Sequence, residues 1–157
     1  MATNRKNVNK FLLLGSIPLI WFLLRRSMPK NKRTGKITNN FTWEEAQSND
    51  GAVMPEEVAK NVEQLAKNLQ VIRDYINKPM RINSWYRSPE QNKKVSGSSG
   101  SFHMKGLAVD FIVPGLTTKQ VRDILELLIQ QGEIKQGGIG KYDTWVHYDI
   151  RGTKSRW

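Results

Sequence analysis

The sequence contains no cysteine. That excludes a disulfide-stapled module, a Cys-ligated zinc finger, a thiol nucleophile and an iron–sulfur site. Acid is also missing from one long stretch: residues 1–43 hold no Asp or Glu, and the first carboxylate is Glu44. Histidine is scarce, with 2 in 157 residues, His103 and His147. Any imidazole chemistry rests on those two positions.

What is abundant is base. The chain has 25 Lys and Arg against 14 Asp and Glu, a net charge of +11 that first suggests a nucleic-acid binder. Nine of the bases lie in the acid-free stretch: Arg5, Lys6, Lys10, Arg25, Arg26, Lys30, Lys32, Arg33 and Lys36. Setting those aside leaves 16 bases against 14 acids, an ordinary soluble surface with no basic face for specific nucleic-acid recognition. The basic arm also lacks interleaved aromatics, so any nucleic-acid binding by it would be nonspecific.

The bases bracket an apolar run, Phe11 to Leu24. As a helix its fourteen residues would reach about 21 Å, short of the roughly 30 Å of bilayer hydrocarbon, and Pro18 interrupts it. Three readings compete. The first is an uncleaved membrane anchor or membrane-lying segment, with Lys10 and Arg25 snorkelling and Trp21 near an interface. The second is a cleaved signal, against which stand the missing A-x-A-like site and the Arg25-Arg26 exit. The third is a docking element within an assembly. The expected organisation is therefore residues 1–24 as anchor or signal-like segment, 25–40 as basic linker, and 41–157 as a folded domain.

Within that domain the spacing predicts a long helix from Pro55 to Asn77, with Val58, Val62, Leu65, Leu69, Ile72 and Ile76 on one stripe. A second helix is expected over Thr117 to Gln131, with Thr117 and Gln120 as a capping box and Gly132 as its stop. Short strands are expected at Met80–Trp85, Leu107–Val113, around Gly137–Gly140, and at Trp145–Ile150. A polar Gly/Ser-rich stretch runs from Arg87 to Ser101. This order predicts an α+β fold: two main helices on a small, largely antiparallel sheet.

Each histidine has an aspartate at a suggestive offset. In Ser101–Asp110, His103 lies in a turn, Gly106 lets the backbone reverse, and Ala108 and Asp110 share one strand face. In Lys141–Asp149, regular alternation would place Asp143, Trp145, His147 and Asp149 on one face. Two imidazoles and a carboxylate suit a catalytic Zn²⁺ site, although a histidine in a short strand is more often merely packed. The same donor set also admits Co²⁺ or Mn²⁺.

The pattern Ser101-x-His103-x-x-Gly106-x-Ala108-x-Asp110, followed by Trp145-x-His147, resembles the zinc peptidase family M15. Ser84–Pro89 (SWYRSP) and the GGIGKY segment before His147 add to the likeness, which runs from about Phe41 onward. The family includes D-Ala-D-Ala carboxypeptidases and dipeptidases, L-alanyl-D-glutamate endolysins and related murein endopeptidases. The resemblance implies His103, Asp110 and His147 as zinc ligands, and Arg87 as the arginine that contacts substrate and polarises the scissile carbonyl. It implies Ser101 as a serine near substrate or ligands, with a loop-stabilising hydroxyl as the alternative. Many members carry Glu or Asp three residues before the last histidine as general base; position 144 here is Thr. Asp143 is the expected substitute and Asp149 the runner-up, which instead would orient a ligand. Trp85, Tyr86, Phe102 and Trp145 are expected either to wall the cleft or to pack in the core.

The expectation is a zinc-dependent peptidase acting on a peptide of peptidoglycan, membrane-anchored or exported, of bacterial or phage origin. The small size and lack of a second wall-binding domain fit a phage lytic or virion-associated enzyme, and a small bacterial murein hydrolase nearly as well. The alternative is a weak or inactive protein of the same fold that binds or builds, for example beside other virion proteins.

Overall fold

A stripe of apolar residues at helical spacing needs a second layer to bury it, and a two-residue alternation supplies a sheet face that can do so. The computed structural model describes residues 32–157. In chain order its elements are α1 (Trp43–Ala46), α2 (Glu56–Ile76), β1 (Arg81–Ser84), α3 (Pro89–Lys94), β2 (Ala108–Ile112), α4 (Thr118–Gln130), β3 (Gly138–Lys141), β4 (Val146–Asp149) and β5 (Ser155–Arg156).

Helix α2 starts after Pro55, carries Glu56 and Glu57 in its first turn and Arg73 in its last, and ends at Asn77 in the left-handed conformation. That charge order complements the helix dipole. Its Val62, Leu65, Leu69 and Ile72 are fully buried, each worth about 1.5–3 kcal/mol of transfer energy. Helix α4 begins at the expected capping box: Gln120 N–H donates to Thr117 Oγ1 at 3.2 Å, and Thr117 N–H donates to Gln120 Oε1 at 2.8 Å. It buries Val121, Leu125 and Leu128.

The sheet order is β1-β2-β4-β3-β5. All pairings are antiparallel except β3 with β5. The fold is α+β, with both main helices contributing to one core alongside the sheet. Val109 and Phe111 of β2, Ile139 of β3, and Val146 and Tyr148 of β4 are buried in that core. The alternate positions, Ala108, Asp110, His147 and Asp149, lie on the other face.

Three elements lie outside the expectations from sequence. Helix α1 is a single turn capped by Thr42 and Glu45, too short to show periodicity. Helix α3 sits inside the polar stretch after Arg87, with Ser88 as its cap and Pro89 in its first turn. Strand β5 has two residues. The end of the expected linker, residues 32–40, makes contacts with the domain. Ile37 packs against the core and donates its N–H to Phe41 O at 2.9 Å, while the Arg33 guanidinium lies 5.0 Å from the Trp43 ring centroid. The apolar segment 11–24 and the rest of the basic arm lie outside the described residues. Among the described residues no helix is long and apolar enough to cross a membrane.

Gly106 makes the turn before β2, at φ +68°, and an added Cβ would stand 2.8 Å from Val58 Cγ1 and 2.9 Å from Val58 O. Left-handed strain and overpacking against α2 then act together. We expect Gly106→Ala to destabilise the domain by about 2–4 kcal/mol in urea unfolding. A change below about 0.5 kcal/mol would contradict the tight approach of this turn to α2.

Candidate metal centre

Strand register builds the site. Asp110 on β2 stands directly opposite His147 on β4, with Ser84 beyond it on β1 and Gly140 beyond His147 on β3. His103 comes from the loop before β2. That loop is wound tightly: Met104, Lys105 and Gly106 donate to the carbonyls of Ser101, Phe102 and His103, respectively, and Asn61 of α2 donates to Lys105 O at 2.9 Å.

Three atoms converge. His103 Nε2 is 3.2 Å from His147 Nδ1 and 3.2 Å from Asp110 Oδ1, and His147 Nδ1 is 2.8 Å from the same oxygen. A tetrahedral zinc with bonds of about 2.0–2.2 Å places its ligand atoms roughly 3.3 Å apart, close to this triangle. The opposite ring nitrogens are committed elsewhere. His103 Nδ1 donates to the Trp85 carbonyl at 2.7 Å, and His147 Nε2 donates to Asp149 Oδ2 at 3.1 Å. Each bond fixes the orientation of its ring, so that Nε2 of His103 and Nδ1 of His147 face the Asp110 carboxylate. These three atoms meet at one point, where a cation would be held by all three and where, without one, a proton on His147 is shared with Asp110. These residues fit a metal ion, and they are the group among the described residues that could hold one.

Arg87 clamps the Asp110 carboxylate. Its Nη2 donates to Asp110 Oδ2 and its Nε to Ser84 Oγ at 2.7 Å. Asp149 is completely buried and saturated. Its Oδ1 accepts from Gly138 N–H at 3.0 Å and from Arg151 Nε at 2.8 Å, and its Oδ2 accepts from Arg151 Nη2 at 2.6 Å. Burial alone would raise both aspartates. The histidine hydrogen bonds, joined at Asp149 by those of Arg151 and Gly138, instead hold both well below the usual carboxylate range. Burial pushes His103 below its ordinary value. At His147 burial acts in the same direction, but hydrogen bonds and charge from Asp110 and Asp149 outweigh it and push the group up.

The cluster opens into a cavity of about 620 Å³. One wall is the Val95–Ser101 loop; the other includes Tyr142, Trp145 and Trp157. Tyr142 and Trp145 stack at 4.6 Å between ring centroids. Ser101 lines the cavity and also accepts the His103 N–H at 3.3 Å, so its hydroxyl braces the loop. Of the four expected aromatics, Phe102 and Trp145 line the cavity, while Trp85 and Tyr86 belong to the core.

The two expected general bases stand in different surroundings. The β3–β4 ladder stops at Lys141 opposite Val146, so Asp143 falls in the exposed connecting turn and does not share the face of His147. It is not among the cavity-lining residues. Asp149 does lie beside His147, and both its oxygens are occupied, the arrangement expected of the orienting alternative rather than of a base. Arg151 and Trp157 join the site without having been expected from sequence. Continuing the His147, Asp149 alternation by two residues would have pointed to Arg151; no local signal points to Trp157.

In the metal-free protein the elevated value of His147 means that zinc must displace a proton there. That competition is full below the elevated pKa and vanishes above it. Zinc affinity should therefore fall about tenfold per pH unit on the acid side, with about one proton released per ion. Calorimetry in buffers of different ionisation enthalpy reads this directly, and a pH-independent affinity between about pH 5 and 7 would contradict it.

Comparison with curated proteins gives no match. The family model described as Peptidase M15 matches residues 37–149, a span that takes in α1 to β4 and all three converging side chains. The chain belongs to the M15 peptidase family.

Proposed function

We propose that this protein is a zinc-dependent peptidase that hydrolyses a stem-peptide or cross-link bond of peptidoglycan. The observation that carries the reading is the triangle of His103 Nε2, Asp110 Oδ1 and His147 Nδ1 at the cavity, together with membership of a family of zinc peptidases. Bound at that triangle, zinc supplies Lewis acidity, which polarises a carbonyl and makes water a stronger acid.

The chain's own residues do the rest. Arg87 keeps Asp110 turned so that a single oxygen, Oδ1, faces the histidines, and its position in the cavity lining lets its guanidinium stabilise negative charge building on a carbonyl oxygen. The small side chains of Ser96, Gly97, Ser98 and Gly100 leave room for an extended peptide along one wall. The stacked Tyr142 and Trp145 offer apolar surface on the other. The apolar run Phe11–Leu24, flanked by bases in the sequence, supports a membrane-held or exported enzyme whose domain works on the wall within reach of its arm.

One observation favours a second reading. Among the described residues, Asp110 is the only carboxylate lining the cavity, and both its oxygens are engaged. With no free carboxylate to take a proton, turnover is slow, and in the limit the protein binds metal and peptide without cleaving, as a wall-binding or virion component would.

Digestion of purified peptidoglycan by the full chain, with products read by mass spectrometry, separates the two. The expected result is chelator-sensitive release of a defined peptide or of D-alanine, reduced at least about 100-fold in His103→Ala. Asp143→Asn should retain activity within about twofold, because its carboxylate stands outside the cavity. Stoichiometric zinc without product, across several wall chemistries, would overturn the peptidase reading in favour of binding.

A further inference from the structure

Arg151 lies two residues beyond β4 and outside the segment matched by the family model. Its guanidinium spans both oxygens of the wholly buried Asp149, Nε to Oδ1 at 2.8 Å and Nη2 to Oδ2 at 2.6 Å, and its backbone N–H reaches Oδ1 at 3.1 Å. The guanidinium carbon lies 4.3 Å from the Phe102 ring centroid and 5.5 Å from that of Trp157. The Trp157 ring in turn lies 5.1 Å from the ring of His147. Arg151 is thus held by a two-point ion pair and by two aromatic rings.

We infer that Arg151 is a positioning residue for the metal centre, acting through Asp149 on His147. An imidazole on a strand can rotate by half a turn about its Cβ–Cγ bond. That rotation exchanges Nδ1 with a carbon, and so removes the donor that faces Asp110 and His103. The bond from Nε2 to Asp149 Oδ2 distinguishes the two orientations, provided the carboxylate itself cannot turn. Arg151 stops it from turning because a planar fork grips both oxygens at once. A lysine at 151 would reach one oxygen and hold the carboxylate only in part. The inference rests on the metal-site reading above and adds to it a residue that, although it lines the cavity, reaches the metal centre only through Asp149.

The test is zinc affinity of the full chain, measured by competition with a chromophoric chelator, for wild type, Arg151→Lys and Arg151→Met, with the visible spectrum of the cobalt-loaded forms alongside. Methionine keeps apolar contact with Phe102 and removes the fork. We expect Arg151→Met to bind zinc roughly 10–100-fold more weakly and to show an altered cobalt spectrum, with Arg151→Lys in between. If Arg151→Met does not fold, the partial loss in Arg151→Lys decides. Wild-type affinity and an unchanged spectrum in every folded variant would overturn the inference while leaving the metal site intact. A wild-type chain that binds no zinc would overturn the metal site, and this inference with it.

Discussion

Everything at the site depends on one cross-strand pairing, that of Asp110 with His147. Antiparallel partners across the ladder bring their side chains to the same face at close range, and here two polar groups in that position face the side opposite the core. A slip of one residue in β2 would turn Asp110 toward the core and Val109 or Phe111 toward the cleft. The core residues therefore hold the register that the chemistry needs. The bulge between Ile82 and Ser84 then brings Ser84 opposite Asp110, where its hydroxyl meets Arg87.

Charge on this face is arranged in pairs. Asp110 is held by Arg87 and Asp149 by Arg151, and each carboxylate also meets His147. A buried carboxylate without a partner would take up a proton and lose its value as an acceptor. Here each remains charged, and each pins one nitrogen of the same imidazole from an opposite side. His147 is thus oriented twice over. His103 is oriented by a backbone carbonyl, which holds a tautomer without adding charge. Burial lowers both histidines; at His103 it prevails over the single carboxylate of Asp110, with Arg87 and His147 adding to it, whereas at His147 the two carboxylates Asp110 and Asp149 outweigh it.

The long helices were legible in the sequence because their stripes repeat over several turns and their ends carry caps. The three converging residues were legible as well, since Ala108 and Asp110 alternate within β2 and a turn glycine precedes them. Strand alternation holds only inside its own element. Alternation from His147 back to Asp143 is broken by a turn that begins at Tyr142, whose N–H bonds Trp145 O. Forward of Asp149 the same two-residue step arrives at Arg151, which does meet the Asp149 carboxylate. Trp157 could not be read at all, because its place over His147 is set by two residues of parallel pairing with β3.

The glycines of β3 complete the account of how this face stays open to chemistry. An added Cβ at Gly138 would stand 2.3 Å from Asp149 Oδ2, and one at Gly140 would stand 2.7 Å from the Trp157 ring. Bare backbone at these two positions lets Asp149 and Trp157 close in on His147 from the side of β3. Ala108 keeps the β2 side small. The face thus carries few apolar side chains of its own, and the aliphatic and aromatic burial lies among Ile139, Val146, Tyr148, Val109 and Phe111 with the helices. Two-residue alternation has separated what stabilises the sheet from what reacts on it. None of the three converging side chains belongs to that core, so an ion held among them would not be what joins the sheet to its helices, unlike small domains whose folding free energy is their metal binding.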